Sequence, residues 1–485
     1  MNTKKFTVLH SNDMHGDFLA EMKSGEGTLI GGLSLLSGYI NKVRAEEENV
    51  LYFIAGDMLQ GSVIDAEYKG ISTIEIMNYL APDAATLGNH EFDYGLPHLL
   101  FLEKMANFPI VNANLYIKNY HKRLMQPYLI INKADFDILV IGIITEDIVD
   151  AFKQDAEVGS FITLEEASSE VGRITNAFKN DDIDLTILLT HIGFEKDKEL
   201  AQMLKPEWGV DMIIGGHSHT ILEKPAEVNG ILIAQAGVGT DQIGRFDIVV
   251  DDDTNSIVDY KWELIPIDSE HAPKDGELEK FIYTYKEAVD KKYSTIITKF
   301  TKKFDHHTRL EETELGNLFA DILKDRAEVD IGIVGSGSIR LKELGPVVTL
   351  GDLVACFPFK DTVQKFTVSG EALKRMFSTF MSNENRRLQG ECYQVSKGVK
   401  AIYDKTSDKL ASLSLNEEKI ADDKQYSVCL QGYHYANLKK FLNVDEGEIS
   451  NYKLIATAQT DIIEEYLRAH QMLNSKVEGR LTYIG

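Results

Sequence analysis

The sequence predicts an α/β fold, and two observations carry that reading. Short β-branched or aromatic runs alternate with longer amphipathic stretches through roughly the first 250 residues, and the alternation restarts near residue 299. At 485 residues the chain is also too long for one ordinary core, which asks for two or three domains.

The elements follow in order. "FTVLHSNDMHG", "NVLYFIAGDMLQG", "DAATLGNHEFD", "DLTILLTHIGF" and "DMIIGGHSHT" each join an apolar run to a cluster of Gly, Asp, Asn and His. Each cluster falls just past the end of a predicted strand, where open α/β sheets collect their sites. Between the first two lies "GGLSLLSGYINKVRAEEE", with Leu33, Leu36, Ile40 and Val43 at helical spacing. After "RFDIVVDDDTNSIVDYKWELIPID" comes "HAPKDGELEKFIYTYKEAVDKKYS", whose Leu278, Phe281, Ile282, Tyr285 and Val289 share one helical face. That predicts a first domain over 1–270, a linker helix within 271–298 and a second α/β domain over 299–485. In the last, "ETELGNLFADILKDRAE" reads as helix, "VDIGIVGSGSIR" as strand and "TVQKFTVSGEALKRMFSTFM" as strand into helix.

Composition excludes several classes. Apolar residues at 44% and charged residues at 26% are the balance of a soluble globular chain. Strand-like runs such as "DILVIGII" fall far short of the roughly 20 apolar residues of a bilayer span, so no membrane partner is expected. "MNTKK" leads straight into the first strand without a hydrophobic signal segment, which gives a cytoplasmic expectation. Cys356, Cys392 and Cys429 show no CxxC spacing and read as core thiols. With 76 acidic residues against 51 Lys and Arg, the net charge of -25 repels nucleic acid polymers. A small anion is still attracted where two divalent cations add about four positive charges in one cleft.

The polar clusters supply the ligands for such cations. Asp13 and His15 stand two apart, as do His217 and His219, so each pair points one way from an extended strand end. Asp57, Asn89 and His191 each follow their own apolar run. Singly, each has an ordinary reading, a helix cap for an Asp or a satisfied core residue for a His. Together they form a nitrogen and oxygen donor set without thiolate, suited to Mn, Zn, Fe or Co, with Mg also accepted. With Asp57 bridging, Asp13, His15, Asp57 and His219 hold one ion, and Asp57, Asn89, His191 and His217 the other. Two such ions about 3.5 to 4 Å apart activate a bridging hydroxide and clamp a phosphoryl group.

The motifs "NDMHG", "GDMLQG", "GNHEFD", "THIG" and "GGHSHT", in this order, resemble the 5'-nucleotidase and 2',3'-cyclic phosphodiesterase family of calcineurin-like metallophosphoesterases. The resemblance implies a four-layered αββα sandwich with the dimetal site at its rim and the metal division given above. It also implies that His90 is not a ligand but stabilises the transition state, with Asp93 pairing to it. A carboxylate against an imidazole fixes the tautomer and supports the imidazolium form, as a donor to a phosphoryl oxygen requires. Glu91, between them, reads as a local hydrogen-bonding residue.

Residues 299–485 resemble the family's C-terminal substrate-binding domain through "ETELGNLFADIL", "GSGSIR", "GDLVACFPF", "VSGEALKRMF" and "YQVSKGVKAIYD". By that resemblance Arg340 reaches a phosphate or carboxylate of the substrate. Family nucleotidases hold the base between two rings; Tyr433 matches one, while "ECYQVSKG" puts Cys392 at the other ring's position and Tyr393 one residue later. Tyr393 and Tyr433 are thus the expected aromatic substrate contacts. The family's Pro-Phe-Gly-Asn is "PFKD" here, Pro358 to Asp361, and Arg386 and Arg387 read as a solvated loop.

The expected activity is dimetal-dependent hydrolysis of a small phosphoester, a nucleotide first, by attack of a metal-bridging hydroxide. The alternatives are a 2',3'-cyclic nucleotide or nucleotide-sugar phosphodiesterase, and a protein that binds a phosphate ligand without cleaving it.

Overall fold

The computed structural model describes residues 3–22, 28–117, 122–145, 160–161, 163–358, 361–387 and 392–485. Lys360, Glu391 and the side chain of Arg387 lie outside the described residues. The chain divides into two compact units, Met1–Val289 and Asp290–Gly485.

The first unit is built on two six-stranded sheets. One contains β1 (Thr3–Ser11), β2 (Val50–Ala55), β3 (Ala84–Thr86) and β4 (Ile110–Val111), flanked by the antiparallel β11 (Gln242–Asp251) and β12 (Ser256–Pro266). The other contains β5 (Tyr128–Lys133), β6 (Phe136–Ile144), β7 (Leu185–His191), β8 (Met212–Ile214), β9 (Ala226–Val228) and β10 (Ile231–Ala234). Period-two alternation on β6 shows how they stack. Phe136, Ile138 and Val140 join Phe6, Val8, Leu51 and Phe53 in the core between the sheets. Leu139, Ile141 and Ile143 face the other way, onto Val171, Ile174 and Leu200 of the helices Leu164–Ala177 and Phe194–Met203. The helix Leu33–Glu46 buries its predicted stripe of Leu33, Leu36, Ile40 and Val43 beside the first sheet. The result is the αββα layering.

What positions the site is strand direction. Strands β1, β2, β3 and β4 run parallel to one another, as do β6, β7, β8 and β10. Their carboxyl ends therefore open on one rim of each sheet.

The helix Gly276–Tyr293 lies inside the span expected to link the domains. Its Tyr285 hydroxyl donates to Glu75 and its ring packs edge-on to Tyr68 at 4.8 Å, and the first unit extends to Val289, so most of the helix belongs to that unit. No helix among the described residues is long and apolar enough to cross a membrane.

The second unit carries a five-stranded sheet in the order Tyr393–Val395, Ile331–Gly335, Gln425–Gln431, Val363–Ser369 and Ser450–Ala456. One apolar cluster gathers Phe319, Ile322 and Leu323 of the helix Glu314–Ala327, and a second gathers Phe377 and Phe380 of the helix Gly370–Met381. All three cysteines are buried.

Candidate active site

The rim of the first unit brings together all seven expected ligands, and its backbone is strained where it does so. Asp13 (φ 51°), His15 (φ 49°), Asp57 (φ 53°), His217 (φ 81°) and His219 (φ 52°) all adopt the left-handed region that side chains other than glycine seldom occupy. Each such residue costs about 1–3 kcal/mol and persists where its surroundings over-determine it. Here the loops pin one another: Asp13 N–H donates to Gly56 O at 3.1 Å, and His15 N–H to Asp57 O at 3.0 Å. A side chain is excluded at Gly88, where a Cβ would lie 2.2 Å from Asp57 Oδ1.

Two donor groups share Asp57 or neighbour it. Asp13, His15 and His219 offer ligand atoms within 4.8 Å of one another, as do Asp57, His191 and His217. His219 Nε2 stands 3.5 Å from Asp13 Oδ1, and His15 Nε2 stands 3.9 Å from both Asp13 Oδ1 and Asp57 Oδ2. His191 Nε2 is 3.1 Å from Asp57 Oδ2, while Asn89 Oδ1 meets His217 Nδ1 at 2.8 Å. A third group, His15, Asp57 and His90, places the dyad histidine beside the shared carboxylate.

The donors fit a pair of divalent cations. His191 is fully buried, its Nδ1 lies 2.8 Å from Ala55 O as donor, and its Nε2 has no hydrogen-bond partner among the described residues. With Nδ1 donating to a carbonyl, Nε2 faces the Asp57 carboxylate, an arrangement that a proton on Nε2 resolves and that a divalent cation held by both groups would resolve as well. His15 Nδ1 lies 3.3 Å from Leu59 O and likewise turns Nε2 inward. Burial works against a charge on His191, yet the Asp57 carboxylate 3.1 Å from its Nε2 raises its pKa to about 9. Burial alone would raise Asp57, and His191 takes it down to about 2. The cluster holds positive charge and keeps its carboxylate ionised.

Beside it, His90 Nδ1 and Asp93 Oδ2 are 2.7 Å apart, both about one-third exposed. This bond, against partial burial, raises the His90 pKa and favours the imidazolium. Since Asp93 occupies Nδ1, Nε2 is the nitrogen left for a ligand oxygen.

The outer contacts are more extensive than the motifs foretold. Asn12 donates to Asp13 Oδ2 at 2.7 Å and accepts from Ala236 N at 2.8 Å. The buried Asp197 accepts from Thr190 Oγ1 at 2.6 Å and Gln235 Nε2 at 2.8 Å, and Gln235 Oε1 accepts from Ser218 Oγ at 3.0 Å, between His217 and His219. Glu91 accepts four backbone N–H groups, and burial first, then the charge of Asp57, raises its pKa to about 7. Of these only Glu91 drew attention in the sequence; a lone Asn or Gln on a strand end gives no spacing signal.

Comparison with known proteins matches this site to a family. The calcineurin-like phosphoesterase family matches residues 6–220, and the 5'-nucleotidase C-terminal domain matches residues 294–443. A 5'-nucleotidase of Vibrio parahaemolyticus is 26% identical over 97% of this chain and 90% of its own. A 5'-nucleotidase of Mus musculus is 26% identical over 99% of this chain and 90% of its own. The chain belongs to the 5'-nucleotidase family of calcineurin-like metallophosphoesterases. It is, as its family is, a hydrolase of phosphoesters. The crystal structure of a 5'-nucleotidase precursor from Thermus thermophilus shares its fold over 99% of both chains, with a TM-score of 0.62 at 23% identity.

Within this 5'-nucleotidase-family chain the C-terminal expectations divide. Tyr433 is 55% exposed, its N–H held by Asp361 Oδ1 at 3.0 Å and its ring 5.7 Å from Phe441. Arg340 is exposed at the end of its loop, with its N–H on Cys356 O at 2.9 Å. Tyr393 corrects the expectation of a substrate contact. It is 1% exposed, packs on Phe380 at 5.2 Å and bonds His434 Nδ1 through its hydroxyl at 3.1 Å. One step along the strand from Cys392, its side chain turns into the core and offers no face to a ligand. His434 is buried and lies 3.5 Å from Ser338 Oγ, so the Tyr433 helix and the Arg340 loop adjoin. Arg386 is tied down, donating to Leu310 O at 2.7 Å with its guanidinium 3.9 Å from the Tyr483 ring centroid.

Proposed function

We propose that this chain hydrolyses nucleoside monophosphates, releasing phosphate, with two divalent ions of which manganese or zinc suits the donors best. The observation that carries the reading is the pair of ligand groups around Asp57 with the His90–Asp93 dyad at their side. Asp13, His15, Asp57 and His219 would hold one ion and Asp57, Asn89, His191 and His217 the other. When bound, the ions supply water activation and neutralise phosphoryl charge.

This chain's own residues do the rest. Asp57 stays ionised between the two histidine groups and orders them. Water attacks phosphorus as the ester P–O bond breaks, and negative charge grows on the phosphoryl and leaving oxygens. His90 donates from Nε2 to that charge, while Asp93 holds the imidazolium in place. A protein that merely binds phosphate has no use for such a donor and its carboxylate, which weighs against the non-catalytic reading. Tyr433 and Arg340 are the groups available in the second unit to the nucleoside and to an anionic substituent.

The burial of Tyr393 favours a second reading, in which one exposed ring accepts a wider range of phosphoesters. A trifunctional nucleotide phosphoesterase of Bacillus subtilis is 26% identical over 98% of this chain but only 34% of its own. Phosphate release with added manganese is assayed across nucleoside monophosphates, 2',3'-cyclic nucleotides and nucleotide sugars. Turnover highest on the monophosphates supports the first reading, and metal uptake without release from any substrate refutes both.

A further inference from the structure

The carboxylate of Glu91 takes no part in the reaction as derived above, yet it is the most heavily bonded acid at the rim. It is 2% exposed and accepts Gly88 N–H at 2.6 Å, Asp57 N–H at 3.0 Å, Met58 N–H at 2.7 Å and Leu59 N–H at 3.3 Å. Four donors fill the lone-pair sites of one carboxylate, which leaves no capacity for an ion or a substrate. The donors belong to two loops. One follows β2 and carries Asp57; the other follows β3 and carries Asn89. The connection is reciprocal, because Asp57 Oδ1 accepts His90 N–H at 2.9 Å.

We propose that Glu91 is a positioning residue that holds the Asp57 carboxylate and the Asn89 amide in register, and thereby sets the affinity of one of the two metal sites. That site is the one drawing on Asp57, Asn89, His191 and His217, since both loops serve it. The other shares Asp57 but takes Asp13, His15 and His219 from segments that donate nothing to Glu91, so it loses one positioned ligand where the first loses two. The inference rests on the dimetal reading of the rim. Gln in place of Glu91 keeps the shape but turns an NH2 toward backbone donors, which unlocks the two loops without altering any ligand.

Wild-type protein, E91Q and E91D are stripped with chelator and titrated with Mn2+. Bound metal is measured directly, Mn–Mn coupling by electron paramagnetic resonance, and thermal melting alongside. Wild-type protein that binds fewer than two ions refutes the dimetal reading whatever the variants do. Given two, E91Q is expected to take its first ion with little loss of affinity and its second about 10–100-fold more weakly, so that the coupled signal is lost at manganese levels that saturate wild type. E91D keeps the charge on a stem one methylene shorter and recovers part of that affinity. Two unchanged affinities in E91Q overturn the proposal, as do two equally weakened affinities with a lowered melting temperature, which would mark a merely structural role. If E91Q is insoluble, the E91D titration decides by the same selectivity for one ion.

Discussion

Replacing Asp93 with Asn tests the dyad most finely, because it removes a charge and little else. His90 Nδ1 and Asp93 Oδ2 are 2.7 Å apart with side chains 35% and 33% exposed. A charge-assisted hydrogen bond contributes about 1.5–3 kcal/mol, and one-third exposure places this one at the low end, about 1.5 kcal/mol. The Asn oxygen still accepts from Nδ1, so the ring keeps its place and loses only electrostatic support. If Asp93 acts by stabilising imidazolium in the transition state, kcat falls about tenfold while KM stays within about twofold. The assay is initial-rate phosphate release at saturating manganese. In an H90N background the Asp93 change should add almost nothing, since the two act as a unit. An unchanged kcat in D93N, or a full tenfold effect persisting without His90, refutes the reasoning.

Further expectations follow from the same geometry. D57N removes the carboxylate proposed to serve both ions, so bound metal should drop below one ion per chain by direct metal analysis, and turnover with it. Y433A should raise KM for a nucleotide by about tenfold, the loss of one stacked ring, whereas Y393F leaves KM alone and lowers only the melting temperature. Asp197 is fully buried and burial raises its pKa to about 7, so the folded protein keeps a proton there that the unfolded chain releases near pH 4. Between those values stability falls as pH rises, by at most about 1.4 kcal/mol per pH unit. Melting curves from pH 4 to 7 should show wild type losing more stability than D197N as pH rises, by up to that slope.

The parts of this site that were legible in the sequence are those that strand geometry dictates. A ligand placed one or two residues past an apolar run lands on the carboxyl rim, and Asp13, Asp57, Asn89 and His191 obey that rule, while His217 and His219 stand further along the loop that follows Ile214. Local sequence carries no mark of the left-handed backbone at five of the seven ligands, because neighbouring loops impose it. The four-fold capture of backbone N–H groups by Glu91 is equally non-local. Tyr393 was misread for a related reason: which face of a short strand turns inward depends on register, and one residue reverses it. The stretch 271–298 was readable as a helix from its apolar stripe, but its attachment to Tyr68 and Glu75 rests on contacts more than 200 residues apart in sequence.

The central claim is that the rim holds two ions and that His90 acts on the substrate without binding either. It is tested most directly by H90N, measured at once for bound metal and for phosphate release. Metal content near two per chain is expected, as in wild type, with turnover reduced by about 100- to 1,000-fold. Loss of an ion would make His90 a ligand, and wild-type turnover would remove it from the chemistry; either result contradicts the claim.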